Sequence, residues 1–115
     1  MLFVGSQSIA ADDANLFVSG APPLENGLFL YGMNQTSLPV GDGVLCINNV
    51  FYRIFPAVQV DMFGLTSLHI PITNPPVPAA QITSGSTWNF QFWYRDGGGA
   101  IGNNLSDAIE IDFCD

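Results

Sequence analysis

Apolar and polar residues alternate most strictly in one stretch, from Thr87 to Arg95. Successive side chains of a β-strand point to opposite faces of the sheet, so this alternation predicts a half-buried strand. One face of that strand would be entirely aromatic, and it comprises Trp88, Phe90, Phe92 and Tyr94. The other face would be a polar surface with one large aromatic side chain, and it comprises Asn89, Gln91, Trp93 and Arg95.

The C-terminal stretch from Ser106 to Phe113 alternates in the same way, with Ile109 and Ile111 on its apolar face. A glycine-rich loop joins it to the aromatic strand, and this arrangement is typical of an antiparallel hairpin. If the two strands pair in register, Glu110 lies on the polar face of the hairpin.

The rest of the chain consists of short apolar runs separated by Gly, Pro, Asn and Asp. The runs are Leu2–Val4, Leu16–Val18, Leu28–Met33, Val44–Ile47, Val50–Phe55, Val58–Phe63 and Leu65–Ile70. The Asn48-Asn49 pair predicts a short hairpin between the fourth and fifth runs. No run has a helical period. We therefore predict a single all-β domain over residues 1–115, an antiparallel β-sandwich or jelly-roll-like fold of about eight short strands.

Charge excludes some functions. The 115 residues carry ten carboxylates and only two basic side chains, Arg53 and Arg95, for a net charge of −8. Nucleic acid requires a basic patch that this composition cannot supply, so we expect no nucleic-acid partner. No apolar run approaches the roughly 20 residues that span a bilayer, so we expect no membrane insertion either.

The cysteines bear on the compartment. Cys46 and Cys114 are far apart and the chain has one histidine, which argues against a zinc site. A cysteine pair in a turn-rich β domain without lysine is typical of one disulfide in an oxidising compartment, with two buried free thiols as the alternative. The N-terminus lacks the basic region of a signal peptide. The protein is then either cytoplasmic or a secreted module that follows a removed leader or an upstream domain, and we favour secretion.

Several motifs, in order and spacing, resemble those of a known family. They are Gly41-Asp42-Gly43 with Cys46, Gly85-Ser86-Thr87-Trp88 running to Phe92-Trp93-Tyr94-Arg95-Asp96, Asn104-Leu105-Ser106-Asp107-Ala108, and Phe113-Cys114. From about Gly27 to its end, the chain resembles a β-rich C-terminal module of large secreted proteins from planctomycetes and related bacteria. The resemblance implies an extracellular accessory domain with a Cys46–Cys114 bridge, and it implies no particular biochemical role.

The polar face of the aromatic strand is the first candidate site. An exposed indole can cover the apolar face of a pyranose while neighbouring polar groups hold its hydroxyls. Gln91, Trp93, Arg95 and Glu110 are accordingly predicted to bind a glycan. The alternative is that a loop or a second layer covers Trp93.

The glycine-rich loop is the second candidate, as a calcium site. Asp96, Asn103, Asn104 and Asp107 offer the oxygen ligands that calcium takes. The same residue types also favour turns, because they tolerate positive φ and bond to nearby backbone, and this reading needs no metal. We expect no other cofactor.

No pattern indicates an enzyme: nucleophile motifs are missing, and Glu110 and Asp112 point the same way from one strand. The prediction is a non-catalytic extracellular accessory module that binds glycan or cell-surface polysaccharide. The alternative is a structural or adhesion module that packs against protein partners or assembles with itself.

Overall fold

The computed structural model describes residues 1–48 and 51–115, and within these ranges the chain is all-β. Its only helical element there is a single 3₁₀ turn at Pro78–Ala80. The strands are β1 Leu2–Val4, β2 Asn15–Val18, β3 Asn26–Gly32, β4 Gln35–Val40, β5 Gly43–Ile47, β6 Tyr52–Gln59, β7 Thr66–His69, β8 Thr87–Arg95, β9 Asn103–Leu105 and β10 Ile109–Asp112. The predicted antiparallel β-sandwich is thus confirmed, with ten described strands.

The strands form three antiparallel sheets. The N-terminal sheet has the order β1-β2-β7, the main sheet has the order β10-β8-β3-β6, and β4 and β5 form a separate hairpin. Strand β9 also belongs to the main sheet, where it pairs with the end of β8 that β10 leaves free. Between β9 and β10, Ser106 keeps the chain on β8. Its N–H donates to the Phe92 carbonyl at 2.8 Å, and its Oγ accepts from the Phe92 N–H at 2.9 Å.

The larger core lies between the N-terminal sheet and the main sheet, on the aromatic face of β8. Tyr31 of β3 stacks on Phe90 with ring centroids 5.4 Å apart, and Phe29 packs on Phe92 at 4.7 Å. Burial of each such ring stabilises the fold by about 2–3 kcal/mol. Leu16 and Val18 of β2 close this core from the opposite layer. The aromatic face was therefore predicted correctly.

A second, smaller core lies on the other face of the main sheet, under the β4–β5 hairpin. It comprises Leu30, Leu45, Ile47 and Leu105, with Trp93, Val40 and Phe51 packed at its border. The main sheet is thus covered on both faces over much of its length. The alternation along β8 does not predict this second layer. The polar residues at every second position of β8 are those expected on a face that meets solvent.

The strand Thr87–Arg95 and its antiparallel C-terminal partner are confirmed. The predicted hairpin between Val44–Ile47 and Val50–Phe55 is wrong, because β5 pairs with β4 and β6 pairs with β3. Strand β4 was not predicted, because it contains Pro39 and is mostly exposed and so forms no apolar run. Proline is tolerated in an edge strand of this kind. The residues 49–50 of the predicted turn and strand start lie outside the described part of the chain.

Candidate functional site

The hairpin covers the middle of the face that was predicted to be an open polar surface. Gln91 is 0% exposed. Its Oε1 accepts from the Cys46 N–H at 2.9 Å, while its Nε2 donates to the carbonyls of Val44 at 2.9 Å and Ser106 at 2.7 Å. A buried amide with these three bonds positions the hairpin and has no surface to offer a ligand.

Asn89 is buried on the same face. Its Nδ2 donates to the Gly32 carbonyl at 3.3 Å and its Oδ1 accepts from Gln35 Nε2 at 2.9 Å. The expectation of a polar surface along the whole face is therefore wrong over Asn89 and Gln91. The physical reason is that these amides bond to the β4–β5 hairpin above them and to backbone of the main sheet instead of to water.

Glu110 lies at the far end of β8 from Trp93. The register sets it opposite Asn89, and its Oε2 accepts from Gln35 Nε2 at 2.6 Å. Four residues along a strand separate Asn89 from Trp93, or roughly 13 Å. The predicted set of four binding residues is thus spread along the strand, and only Trp93 and Arg95 remain together.

Trp93 and Arg95 line the same cleft, where β3, β8 and the glycine-rich loop meet. Its volume is about 530 Å³, and its lining residues are Asn26, Gly27, Leu28, Ala57, Trp93, Tyr94, Arg95, Ile101, Gly102 and Asn103. Small-molecule sites fall within about 300–1,000 Å³, so the cleft has the size of a binding site. Neither Asn26 nor Ile101 was singled out in the sequence, because they are brought to Trp93 only by the pairing of β3 with β8 and the return of the loop.

Trp93 is held in a fixed orientation at the cleft. The indole is half-buried, packs against the second core, and donates from Nε1 to Asn103 Oδ1 at 3.1 Å. One side of the residue thus meets a covering layer, as the alternative expected, and the residue also lines the cleft.

Tyr94 borders the cleft from the other face of β8. Burial, and next the negative charge of Asp96, raise the pKa of its phenol above the usual value. The phenol is therefore neutral at physiological pH, and its hydroxyl keeps a proton to donate.

Arg95 is exposed and its guanidinium makes no ion pair or hydrogen bond within residues 1–48 and 51–115. The other arginine is engaged, since the Arg53 guanidinium carbon lies over the Phe51 ring at 5.5 Å from its centroid. Arg95 is thus a cation without a partner in this part of the chain, and it lines the cleft.

Asp42 shapes the wall of the cleft. Its carboxylate accepts from the Ile101 N–H at 3.0 and 3.1 Å and from the Gly102 N–H at 3.0 Å, while its own N–H donates to the Asn103 carbonyl at 2.8 Å. The turn of the β4–β5 hairpin thereby fixes the loop between β8 and β9. Gly99 permits this contact, because a Cβ there would lie 2.2 Å from Asp42 Oδ2. The Gly41-Asp42-Gly43 motif was visible in the sequence, but the sequence did not show that Asp42 would hold the loop between β8 and β9.

The oxygens predicted to bind calcium serve the loop itself. Asp96 Oδ1 accepts from the Gly98 N–H at 3.2 Å, and Asn104 Oδ1 accepts from the Leu105 N–H at 2.8 Å. Asn103 Oδ1 holds the Trp93 indole, and Asp107 accepts from the amino group of Met1 at 2.6 Å. In the described ranges, no three His, Cys, Asp or Glu side chains cluster in a way that could hold a metal ion. The bonds of Asp96 and Asn104 are of the kind that the turn alternative expects, whereas Asn103 and Asp107 bond to groups outside the loop.

Cys46 and Cys114 are free thiols, so the Cys46–Cys114 bridge is not formed. The backbone of Cys114 pairs with the N-terminal segment, at Gln7 and Ile9. Cys46 lies in the hairpin bonded to Gln91, whereas Cys114 follows Phe113, whose ring packs on Phe90 in the larger core. Each sulfur instead lies 3.7 Å from a carbonyl oxygen, that of Val44 for Cys46 and that of Gln7 for Cys114.

A second surface feature is apolar. The outer face of the N-terminal sheet exposes Leu2, Val4, Phe17 and Leu65 around a shallow hollow of about 700 Å³. Strand β1 forms an edge of this sheet and leaves one side of its backbone unpaired in the described structure. Such a face is a candidate for contact with protein.

Comparisons of the chain with models of protein families, with curated proteins and with solved structures find no match. The resemblance to the planctomycete module and the role it implies therefore stay predictions. None of the described residues forms a helix with the length and apolar character of a bilayer span.

Proposed function

We propose that the protein is a non-catalytic extracellular module that binds glycan in the cleft beside Trp93. The observation that carries this proposal is a half-buried indole, fixed by its bond to Asn103, in a cleft of about 530 Å³. Sugar recognition needs a rigid aromatic surface and a few oriented polar groups, and a site that is already ordered loses less entropy on binding.

Each polar residue of the cleft has a distinct role in this proposal. Asn103 uses its Oδ1 on the indole, which leaves its amide N–H groups to donate to sugar hydroxyls. Asn26 presents an exposed amide from the first residue of β3. Gln91 and Glu110 have no part in the site, since Gln91 is buried and Glu110 is bonded to Gln35.

The extracellular location belongs to the same proposal. It no longer draws support from the cysteines, because both are free thiols. It rests on the resemblance to secreted modules and on the nature of the ligand.

The test is a polysaccharide and oligosaccharide panel read by calorimetry, with Asn26→Ala as the diagnostic variant. Asn26 is exposed, so its truncation should leave the fold intact and weaken binding. Asn74→Ala, an exposed asparagine outside the cleft, is the matched control. Saturable binding that weakens in the first variant only supports the proposal, whereas no binding across the panel contradicts it.

Trp93 is tested by Trp93→Phe instead of alanine, because the side chain also packs against the second core. Phenylalanine keeps an aromatic ring but cannot donate to Asn103. We expect weaker glycan binding with little change in the unfolding midpoint, and unchanged affinity would remove Trp93 from the site.

The second candidate function is a structural or adhesion module, favoured by the apolar outer face of the N-terminal sheet. Sedimentation velocity over a range of concentrations measures self-assembly. Phe17→Ser, at a residue that is 44% exposed, should return any assembly to the monomer. A monomer at all concentrations contradicts self-assembly through this face.

A further inference from the structure

We infer that the cleft selects saccharides that carry one anionic group, a carboxylate or a sulfate, and that Arg95 recognises it. The inference rests on the proposed glycan function and names the class of sugar. Its starting point is the distribution of charge around the cleft.

The chain has ten carboxylates, yet no acidic residue lines the cleft. Two acidic residues of the glycine-rich loop and of the turn that holds it, Asp96 and Asp42, are bonded to backbone donors. Asp96 Oδ1 accepts from Gly98, and both oxygens of Asp42 are held by Ile101 and Gly102. The residues that line the cleft are therefore neutral apart from one cation.

That cation is Arg95, and it lacks an intramolecular partner in the described part of the chain. In so acidic a protein a carboxylate partner would be easy to supply. A guanidinium without one retains its planar set of donors for a carboxylate or sulfate, and charge-assisted bonds of this type are about twice as strong as neutral ones.

The net charge of −8 limits the kind of anionic sugar. The whole protein repels a polyanion, and this repulsion extends over a Debye length of about 8 Å at physiological ionic strength. A single charge that reaches Arg95 gains the local contact and adds little repulsion. A polymer charged on every sugar experiences the repulsion along its length, so short oligosaccharides or chain ends are favoured.

The experiment compares a galactose trimer that ends in a single galacturonic acid with the methyl ester of that acid, which keeps the shape of the sugar and removes its one charge. Calorimetry at physiological salt should find the acid bound about tenfold more tightly than the ester. Arg95→Gln should weaken binding of the acid more than binding of the ester, and so reduce this ratio to about one. Arg53→Gln, which removes the arginine outside the cleft, should leave the ratio as it is.

A sulfated galactose trimer forms a second arm of the experiment. Preference for the sulfated sugar over its unsulfated form, lost in Arg95→Gln, supports the inference and assigns the charge to sulfate. Equal affinity for charged and uncharged sugars overturns the inference and leaves the glycan function standing. Absence of binding to every trimer, and to the neutral panel, overturns both.

Discussion

Gln91 and Cys46 join two layers of the protein through one hydrogen bond, in which the Cys46 backbone N–H donates to Gln91 Oε1 at 2.9 Å. Because the same amide also donates to the carbonyls of Val44 and Ser106, one side chain of the central strand satisfies three backbone groups outside that strand. The β4–β5 hairpin is thereby attached to the main sheet by a polar bond in the midst of apolar contacts.

Replacement of Gln91 should destabilise the fold more than any other polar substitution on β8. Gln91→Ala removes a partner from three partly buried backbone groups, and we expect a loss of about 3 kcal/mol. Gln91→Glu can still accept from Cys46 but cannot donate to either carbonyl, and it buries a charge, so its effect should be at least as large. Urea unfolding measures both. Gln7→Ala, at an exposed position, is the control and should change stability by less than about 0.5 kcal/mol.

The Asp42 carboxylate should stabilise the fold and hold the loop that lines the cleft. Asp42→Ala removes the acceptor of the Ile101 and Gly102 N–H groups, and we expect a loss of about 1–3 kcal/mol in unfolding free energy. Amide hydrogen exchange at Ile101 and Gly102 should accelerate in the variant. Exchange rates that match those of the wild type would show that the loop holds its shape without the carboxylate.

The two cysteines should react as free thiols. Under native conditions Cys114, which is exposed, should react with a thiol reagent faster than the half-buried Cys46. The intact mass without reductant should equal that of the unbridged chain. A mass lower by one hydrogen molecule would show a disulfide and would require the hairpin or the C-terminus to lie elsewhere.

Calcium should leave the melting temperature unchanged at millimolar concentration. The oxygens of Asp96, Asn103 and Asn104 already accept N–H groups of the chain, and Asp107 lies beside the N-terminus. Calorimetry with calcium, and with magnesium as the control, measures the shift. An increase specific to calcium would show that the loop rearranges to form a site.

Stability should fall at alkaline pH because of Tyr31. Burial, and next the neighbouring Tyr52, raise the pKa of Tyr31 to about 12. In the unfolded chain the Tyr31 phenol loses its proton near pH 10. Between pH 10 and pH 12 the folded state therefore keeps this proton while the unfolded state has lost it. The stabilisation is fully present below pH 10 and decreases as the pH rises towards 12, by roughly 2–3 kcal/mol in total.

The measurement is a series of urea midpoints across this alkaline range. Tyr31→Phe removes both the titration and the bond from the Tyr31 hydroxyl to the Ala80 carbonyl, which is 2.8 Å long. The variant should be less stable at neutral pH and should show a smaller decline above pH 10. An equal decline in both proteins would assign the alkaline loss to other groups.

Local alternation was sufficient to predict the strand at Thr87–Arg95, its aromatic core face and its C-terminal partner. These follow from the sequence because the two faces of a strand differ in solvation, and a run of four aromatic residues at alternate positions can only be buried together. The sandwich class follows for the same reason. The absence of a helical period and the short apolar runs leave few other ways to bury the apolar residues.

Only the tertiary structure determined which polar residues of β8 are buried and which meet solvent. The pattern of Asn89, Gln91 and Trp93 is the same whether water or a second layer lies above them, since a buried amide and a hydrated one look alike in a sequence. The hairpin that covers Gln91 includes Pro39 in an edge strand, which local signals assign to a turn. The cleft depends on contacts between residues far apart in the chain, as between Asp42 and Gly102 or between Leu28 and Trp93. Periodicity reports which face of a strand is apolar, whereas only the packing of distant segments determines which polar groups still meet solvent.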